Sequence, residues 1–279
     1  RLETAMDSFQ LLVSADDVQA MKCAASLQKQ NEERQKQTRA TQQKAIESIG
    51  QVKKADYLLF VIDPDFNEGI VGLAASRLTE QYYRPAVVGK IDQNTTRCSC
   101  RSIPGFHIAQ VLDECKDLLV KHGGHAAAAG FTVENGNLTE LENRLKEIAC
   151  RELHETELVA SISAEAEVSI KDLSEDFYRQ QEYLHPLGYG NPEPYYVIRN
   201  VQVLSKSVIG KDKNHLRLKL KDGNNSGAVM NAIAFNFGFI SEALPASIDI
   251  LGSLELNHFN GQSSLQIRVK DIQGARSSL

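Results

Sequence analysis

Two glycines and a histidine, Gly123-Gly124-His125, stand between an apolar helical pattern and a run of four alanines. Glycine lets the main chain bend through positive φ and approach a ligand closely, and free backbone N–H groups can bind an anion such as phosphate. The histidine adds a side chain that can transfer a proton or contact a phosphate oxygen near neutral pH. Upstream, Arg101 can bind a phosphate through its guanidinium and Ser102 through its hydroxyl. Together these residue types suit the recognition of a phosphate group.

Each of these residues also has a structural interpretation. Gly123 alone is typical of the C-terminal end of a helix, because it follows apolar residues spaced along one helix face. An isolated Arg-Ser pair is common in surface salt bridges, and an isolated histidine is common on a surface or in a core. In isolation, the residues leave a phosphate site and a structural turn as open alternatives.

Three ordered motifs add to this pattern. They are Arg101-Ser102-Ile103-Pro104-Gly105-Phe106, then Gly-Gly-His with Ala-Ala-Gly-Phe ending at Phe131, then His185-Pro186-Leu187-Gly188-Tyr189-Gly190-Asn191-Pro192-Glu193-Pro194. In order and spacing they resemble the C-terminal part of the RecJ family of single-stranded-DNA-specific exonucleases. The resemblance covers nearly the whole chain.

The resemblance implies a full-length protein that degrades single-stranded DNA from its 5′ end in DNA repair and recombination. It implies a catalytic role for His125, which would bind the phosphate or the DNA end, with Arg101, Ser102, Gly123 and Gly124 as phosphate ligands. The family's metal-binding residues lie upstream of the matching region, and this sequence contains no Asp-His-His run. We therefore expect Mn²⁺ or Mg²⁺ to be bound by a domain absent from this chain, and we expect no nuclease activity from the fragment alone.

A further segment, Phe66 to Gly72, resembles the family with one departure. Phe66 and Asn67 stand where the family commonly has Trp-His, and an asparagine can hydrogen-bond a phosphate but cannot act as an acid. Gly69 opens a predicted helix whose N–H groups favour anions, and Arg77 matches the family's Ser-Arg on that helix. Asn67 and Arg77 are thus further candidate phosphate ligands, with a packing role for Arg77 as an equal alternative.

Composition sets broad limits. A length of 279 residues predicts two domains. No apolar run reaches membrane-spanning length and no signal peptide opens the chain, which favours a cytoplasmic protein without a membrane partner. The five cysteines are odd in number and lack paired spacing, which argues against a disulfide framework. Cys98-Ser99-Cys100 lacks a second pair at zinc spacing, so small strand residues are the preferred interpretation.

The net charge of −5 opposes a nucleic-acid function, because phosphate affinity comes largely from Lys and Arg. Charge distribution can answer this objection. One short basic stretch supplies candidate ligands for single-stranded DNA: Lys206, Lys211, Lys213, Arg217, Lys219 and Lys221. Five aromatic residues nearby are candidate stacking platforms for bases, and we expect about two of them to be exposed: Tyr195, Tyr196, Phe235, Phe237 and Phe259.

The predicted elements fall into three parts. Residues 1–52 hold a long, mostly solvated helix from Asp17 to Ile49, which by resemblance connects the family's catalytic domain to its C-terminal domains. Residues 53–156 alternate strand and helix patterns, including a helix from Ile108 to Lys121 and a cap at Asn137, and indicate an α/β sandwich. By resemblance this is the DHH-associated domain.

Residues 157–279 form the third predicted part. A strand pattern from Val159 to Ile170 and a helix from Ser174 to Leu184 are followed only by strand patterns and Gly/Asn/Asp turns. Five short strands of this kind predict a small all-β barrel, for which an OB-like fold is the natural candidate.

Two other functional classes remain open at this point. The chain could be a non-catalytic module or scaffold that binds single-stranded nucleic acid or a partner protein of unknown identity. Arg101, Gly124 and His125 favour the nuclease fragment, because a pure scaffold does not need them. A relative acting on short oligonucleotides or cyclic dinucleotides would share the Gly-Gly-His half but lack the trailing barrel, so the barrel speaks against it.

Overall fold

The computed structural model of the chain describes residues 5–223, 227–259 and 261–275. The chain forms two compact units, the first ending at Ala160 and the second beginning at Ser161. No helix among the described residues is long and apolar enough to cross a membrane. The three-part division at residues 52 and 156 stays a prediction.

Two helices open the first unit, α1 (Met6–Val13) and α2 (Asp17–Ile49). The carboxylate of Asp16 caps α2 by accepting a hydrogen bond from the N–H of Val18 at 3.0 Å. Only three residues of this 33-residue helix are buried, which confirms the predicted long and mostly solvated helix: Cys23, Thr41 and Ala45.

A five-stranded sheet forms the centre of the first unit, in the order β1-β2-β3-β5-β4. Its strands are β1 (Leu59–Ile62), β2 (Ala86–Ile91), β3 (Thr95–Arg101), β4 (Leu119–His125) and β5 (Ala128–Glu134). The remaining helices of the unit are α3 (Glu68–Tyr82), α4 (Ile108–Glu114) and α5 (Leu138–Leu153). Only β1 and β2 pair in parallel, and every other pairing is antiparallel.

Two apolar clusters cover the two faces of this sheet. On one face, residues of α2 and α3 pack against Leu59, Val61, Ala86 and Val88. On the other face, α4 and α5 pack against alternate residues of the strands, such as Val87. Helices on both faces of a sheet make the predicted α/β sandwich, which is confirmed.

The predicted helix from Ile108 to Lys121 is wrong in its second half. Helix α4 ends at Glu114, a 3₁₀ turn follows at Lys116–Leu118, and β4 begins at Leu119. Leu118 is buried from that turn, so the apolar spacing continues although the helix has ended. Gly123 is therefore a strand residue, and the helix-end interpretation of it is wrong.

Two smaller predictions also fail. The side-chain amide of Asn137 donates to the carbonyl of Leu118 at 3.4 Å and makes no capping bond to α5. The predicted strand from Val159 to Ile170 reduces to β6 (Ala166–Glu167). Val168, just after β6, still donates its N–H to the carbonyl of Val197 at 2.9 Å.

The second unit is a closed barrel preceded by helix α6 (Glu175–Glu182). The barrel strands are β7 (Tyr196–Ile209), β8 (His215–Lys221), β9 (Val229–Ala234), β10 (Ser247–Phe259) and β11 (Gln262–Gly274). They pair in the order β10-β11-β9-β8-β7, and β10 closes the ring on β7. Strands β9 and β11 pair in parallel and the others antiparallel. The predicted five-stranded OB-like barrel is confirmed.

Candidate nucleic-acid interface

Arg101 and His125 lie in one row of the first unit's sheet. Both pair in register with Ala128 of β5, Arg101 from β3 on one side and His125 from β4 on the other. Residues directly opposite each other in a sheet point to the same face, so both side chains project from the face that also bears α3. Two strand spacings separate their backbones by roughly 10 Å. A phosphate between them is within reach of a long arginine and of an imidazole.

Two further rows continue along the same face. The next row is Ser99, Gly130 and Gly123, and the one beyond it is Arg97, Thr132 and Lys121. Small residues thus form the floor, with positively charged side chains at its edges. A cleft of about 400 Å³ opens over this floor, and the side chains that enclose it include Glu68 and Val71 of α3.

Two clefts lie near the Arg101–His125 row, and neither includes Arg101 or His125 in its lining. The first ends at the Ser99 row. The second has a volume of about 330 Å³, and Ser102, Ala126 and Ala127 contribute to its lining. His125 itself is exposed and Arg101 is half-buried. The two predicted phosphate-binding residues therefore share one row of the sheet and neither is buried, and their binding of phosphate stays a prediction.

The guanidinium of Arg101 is held by its surroundings. Its Nη1 donates to the carbonyl of Cys100 at 2.7 Å. Its Nη2 lies against Gly72 of α3, where an added Cβ would approach it to 3.1 Å. A glycine at this position thus makes room for the arginine between the helix and the sheet.

Ser102 does not share this face. Its hydroxyl donates to the carbonyl of Phe106 at 2.6 Å, and its N–H donates to the carbonyl of Ala127 at 2.9 Å. These bonds make Ser102 the residue that ties the Ile103–Phe106 turn to the β4–β5 hairpin, which corrects the prediction of a phosphate-binding hydroxyl. Ser99, which the sequence prediction missed, lies on the face of Arg101 and lines the first cleft. The alternation of strand residues could have identified it, because Ser99 and Arg101 are two residues apart on β3.

The two glycines of the motif differ in their structural roles. Gly124 has φ of 154°, and an added Cβ would lie 2.4 Å from the carbonyl oxygen of Ala128. Gly123 has open space where its Cβ would be. Gly124 is required for the close approach of β4 to β5. Gly123 has no side chain to project from the sheet face beside His125. Both are paired strand residues, so the predicted glycine turn is wrong, whereas phosphate binding by Gly123 and Gly124 stays a prediction.

The other two predicted phosphate ligands are engaged elsewhere. The side-chain oxygen of Asn67 caps α3 by accepting from the N–H of Gly69 at 2.8 Å. Arg77 is exposed and forms a salt bridge with Glu80 one turn along α3, at 2.9 Å. Neither residue lines either cleft. The structure thus favours a capping role for Asn67 and a surface role for Arg77.

The described residues do not form a metal site. Nowhere in residues 5–223, 227–259 and 261–275 do three His, Cys, Asp or Glu side chains converge as metal ligands would. Cys98 and Cys100 are buried in the core, and burial raises the pKa of the Cys100 thiol to about 12. They are neutral core residues, as the preferred interpretation of Cys98-Ser99-Cys100 predicted.

On the barrel, one outer face of β8, β9 and β11 carries positive charge. Arg217 and Arg268 both pair with Ile233 of β9 from opposite sides, so they lie in one row. Lys219 and Lys221 follow Arg217 at alternate positions of β8, while the leucines between them fill the barrel. Within the described part of the chain, none of these four cations forms a salt bridge.

The remaining predicted lysines lie outside this row. Lys211 and Lys213 are exposed in the turn between β7 and β8. Lys206 donates to the carbonyl of Ser241, so its ammonium is tied to the barrel's own backbone. The lysine prediction therefore applies to β8 and its preceding turn better than to β7.

Phe235 is the exposed aromatic residue beside this charged row. Its ring is 45% exposed. The Arg268 guanidinium carbon lies 5.5 Å from the ring centroid, and the His215 ring packs edge-on at 5.1 Å. Sequence reasoning named Phe235 but missed Arg268, which lies about thirty residues away on another strand. An exposed ring with flanking cations can stack a base while holding its phosphate.

Tyr196 is not a stacking platform. It is only 8% exposed, its hydroxyl bonds the side-chain oxygen of Gln181 at 3.2 Å, and its ring packs on Phe177. Burial also raises the pKa of Tyr196. Tyr195 and Phe237 are half-buried, and the side chain of Phe259 lies outside the described part of the structure. The prediction for Tyr196 is therefore wrong, because β7 turns this ring toward α6.

Two family models match the chain. The model of the DHHA1 domain matches residues 54–153, and the model of the RecJ OB domain matches residues 164–271. The two matches together cover most of the chain and fall in its two compact units.

Curated relatives and a solved structure agree with these matches. The single-stranded-DNA-specific exonuclease RecJ of Bacillus subtilis (strain 168) is 32% identical over 97% of this chain and 35% of that protein. The protein of the same name from Haemophilus influenzae is 27% identical over 98% of this chain and 49% of that protein. The crystal structure of RecJ in complex with Mg²⁺ from Thermus thermophilus matches with a TM-score of 0.78 and 23% identity. The match covers 98% of this chain and 41% of the Thermus thermophilus chain, and it supports the fold. The chain thus spans between about a third and half of these relatives.

Proposed function

Because the chain belongs to the RecJ family through its DHHA1 and RecJ OB domains, we propose that it is the substrate-binding C-terminal part of a single-stranded-DNA-specific exonuclease. The longer protein would hydrolyse phosphodiester bonds from the 5′ end in DNA repair and recombination. The observation that carries the proposal is the shared row of Arg101 and His125 on an open sheet face.

In this proposal, the row binds the phosphate at the end of the strand. The Arg101 guanidinium binds two phosphate oxygens through a planar pair of N–H donors. The Ser99 hydroxyl, on the same face, adds a neutral donor. His125 binds a third oxygen, and when protonated it can also give a proton to an oxygen that develops charge. Its exposed position lets it reach a reacting group delivered from another domain.

In this proposal, the barrel also binds the single strand. Phe235 stacks a base, and Arg217, Lys219 and Arg268 bind the flanking phosphates in the same outer face. Such contacts recognise any single strand, because every base has a π face and every backbone has phosphates. The barrel would thus supply affinity without sequence preference.

The hydrolytic cations are proposed to lie on a domain outside this chain. Crystal structures of Thermus thermophilus RecJ are described in complex with Mg²⁺ and with Mn²⁺. The described residues here contain no cluster of three metal-ligand side chains. Mn²⁺ or Mg²⁺ would therefore serve the longer protein, and the residues of this chain would bind and orient the phosphate.

Two measurements test this proposal. The purified chain should bind oligothymidylate with an affinity that falls as salt rises, and should release no nucleotide with Mn²⁺ or Mg²⁺. In the full-length protein, His125→Ala should lower kcat by about 100-fold or more with an unchanged melting temperature. The control is His154→Ala, which removes an exposed histidine of the same unit outside both clefts. Equal activity of the His125 variant and its parent would refute the role of His125. Metal-dependent nuclease activity of the chain alone would refute the proposal that the hydrolytic cations lie on another domain.

A non-catalytic nucleic-acid-binding module is the second candidate. The barrel face around Phe235 favours it, because that face needs no nuclease domain to bind a strand. The two candidates differ at Arg101. A simple module should bind 5′-phosphorylated and 5′-hydroxyl strands equally, whereas the exonuclease fragment should prefer the phosphorylated end and lose that preference in Arg101→Gln.

A further inference from the structure

The cleft on the sheet face extends away from the proposed phosphate site. Its lining runs from the Ser99 row to the row of Arg97, Thr132 and Lys121, and does not include Arg101 or His125. A volume of about 400 Å³ over a floor of Ser99, Gly130 and Thr132 is space for more than a single phosphate group. The phosphate contacts already described therefore leave this space unexplained.

The two positively charged residues of the cleft, Lys121 and Arg97, differ in whether a carboxylate already pairs with them. Lys121 is exposed, and within the described residues its ammonium forms no salt bridge. Arg97, across the floor, contacts the carboxylate of Glu68 in the first turn of α3. Glu68 is half-buried at the edge of the cleft. One cation is thus available to an anion, and the other is shared with an internal carboxylate.

The spacing of the two rows fits a nucleic-acid backbone. Arg97 and Lys121 each precede the corresponding residue of the Arg101–His125 row by four positions on the same strand. At about 3.3 Å per residue the rows are roughly 13 Å apart. Phosphates of a stacked strand recur about every 3.4 Å along the axis, and an unstacked strand is longer, so this distance corresponds to about two to four nucleotide steps.

We propose that Arg97 and Lys121 form a second phosphate subsite, which binds an internal phosphodiester of the strand whose terminal phosphate occupies the Arg101–His125 row. The intervening nucleotides pass over the floor of small residues, partly within the cleft that ends at the Ser99 row. Glu68 competes with the incoming phosphate for Arg97, so it weakens binding at this subsite. The inference rests on the proposed function, since it takes the Arg101–His125 row as the first site.

Substitutions of Lys121 and Glu68 should change binding of the oligonucleotide in opposite directions. Lys121→Gln removes a cation from the subsite and should weaken binding of a 5′-phosphorylated hexathymidylate about tenfold. The slope of log K against log salt should become shallower by about 0.7. Glu68→Gln removes the competing carboxylate and should strengthen binding roughly threefold. Lys116→Gln, at an exposed lysine outside the cleft, is the matched control and should change neither quantity.

Amide chemical shifts of the whole chain localise these effects, because they separate the sheet face from the barrel. The hexathymidylate should shift amides near Arg97 and Lys121 and near Arg101 and His125, whereas 5′-phosphorylated dithymidylate should shift only the second group. Local dissociation constants from these shifts give the fold-changes for each variant. Melting temperatures check that Lys121→Gln and Glu68→Gln remain folded.

The outcomes separate this inference from the proposed function. If both oligonucleotides shift only the amides near Arg101 and His125, and Lys121→Gln binds as Lys116→Gln does, the second subsite is refuted and the proposed function stands. If the hexathymidylate leaves both rows unshifted, the proposed function and the subsite fail together. Shifts confined to the Arg97 and Lys121 row would overturn the terminal-phosphate site and the linked subsite, and leave a separate anion site.

Discussion

Gly72 of helix α3 lies directly against the guanidinium of Arg101. A Cβ at position 72 would stand 3.1 Å from Nη2 of Arg101 and 3.5 Å from the Ser99 hydroxyl oxygen. The helix therefore passes so close to β3 that a Cβ at position 72 would require the Arg101 guanidinium to shift by a few tenths of an ångström. This contact links a residue far from the glycine-histidine motif to the proposed phosphate site.

Gly72→Ala should weaken binding of a 5′-phosphorylated oligonucleotide without destabilising the fold. Alanine favours a helix interior over glycine by about 0.5–1 kcal/mol, so the variant's unfolding free energy should stay level or rise. The new methyl group displaces the Arg101 guanidinium, so affinity for a 5′-phosphorylated oligonucleotide should fall severalfold. Urea unfolding and fluorescence anisotropy measure the two effects. Gly136→Ala, with open space at its Cβ, is the control and should bind normally. Unchanged binding by Gly72→Ala would show that Arg101 does not depend on this contact.

The two glycines of the motif should respond differently to the same substitution. Gly124→Ala places a methyl group 2.4 Å from backbone atoms of β5, so the unfolding free energy should fall by about 1–3 kcal/mol or more. Gly123→Ala meets no atom within 4 Å and should fold like its parent. Its methyl group lies on the floor beside His125, so it should lower affinity for phosphorylated DNA instead. Chemical denaturation of the two variants is the comparison, and equal stability would contradict the packing described for Gly124.

The long helix α2 should make stability depend on acid pH through Lys44. Its ammonium bonds Asp63 at 2.8 Å and Asp65 at 2.7 Å. Burial raises the pKa of Asp63, but the hydrogen bonds from Lys44 and from the N–H of Asp65 outweigh burial and hold the pKa below 3.8. A carboxylate with a lowered pKa stabilises the fold above its unfolded pKa, and the contribution is lost as pH falls through the folded pKa.

Lys44→Gln should therefore be less stable than its parent near neutral pH, and the difference should narrow as the pH falls below about 4. Lys36→Gln, at an exposed lysine of the same helix, is the control and should match the parent at every pH. Denaturation curves across acid pH measure the difference. A constant gap for Lys44→Gln would mean that packing of the lysine stem, and not the ion pair, stabilises the contact.

On the barrel, Phe235→Leu and Tyr196→Phe should give opposite results. Loss of the exposed Phe235 ring should weaken single-strand binding by about 1–3 kcal/mol, to a similar extent for different sequences, because stacking does not depend on base identity. Tyr196→Phe leaves Gln181 without its buried partner, so the unfolding free energy should fall by about 1 kcal/mol while binding stays unchanged. Filter binding and thermal melting distinguish the two. Weakened binding by Tyr196→Phe with normal stability would mean that the Tyr196 hydroxyl contacts the strand.

Much of the fold could be predicted from local patterns. The helix from Asp17 to Ile49 and the alternating Leu216, Leu218 and Leu220 of β8 show their periods within a few turns or residues. Periodicity failed between Ile108 and Lys121, because Leu118 keeps the helical spacing although it belongs to a 3₁₀ turn. A spacing of three or four residues is shared by both kinds of turn, so it does not locate the end of the helix.

The sequence alone determined the chemistry that this protein has available: a histidine beside two glycines, an arginine on a strand, and a basic stretch in a barrel. Tertiary structure decided which of these residues meet. Strand β5 inserts between β3 and β4, and only that pairing brings Arg101 and His125 to either side of Ala128. Tertiary packing also put Arg268 beside Phe235 and buried Tyr196 against α6. The register of the β4–β5 hairpin is set locally by its two-residue turn, whereas the position of β5 beside β3 depends on contacts between distant parts of the chain, which a local pattern does not specify.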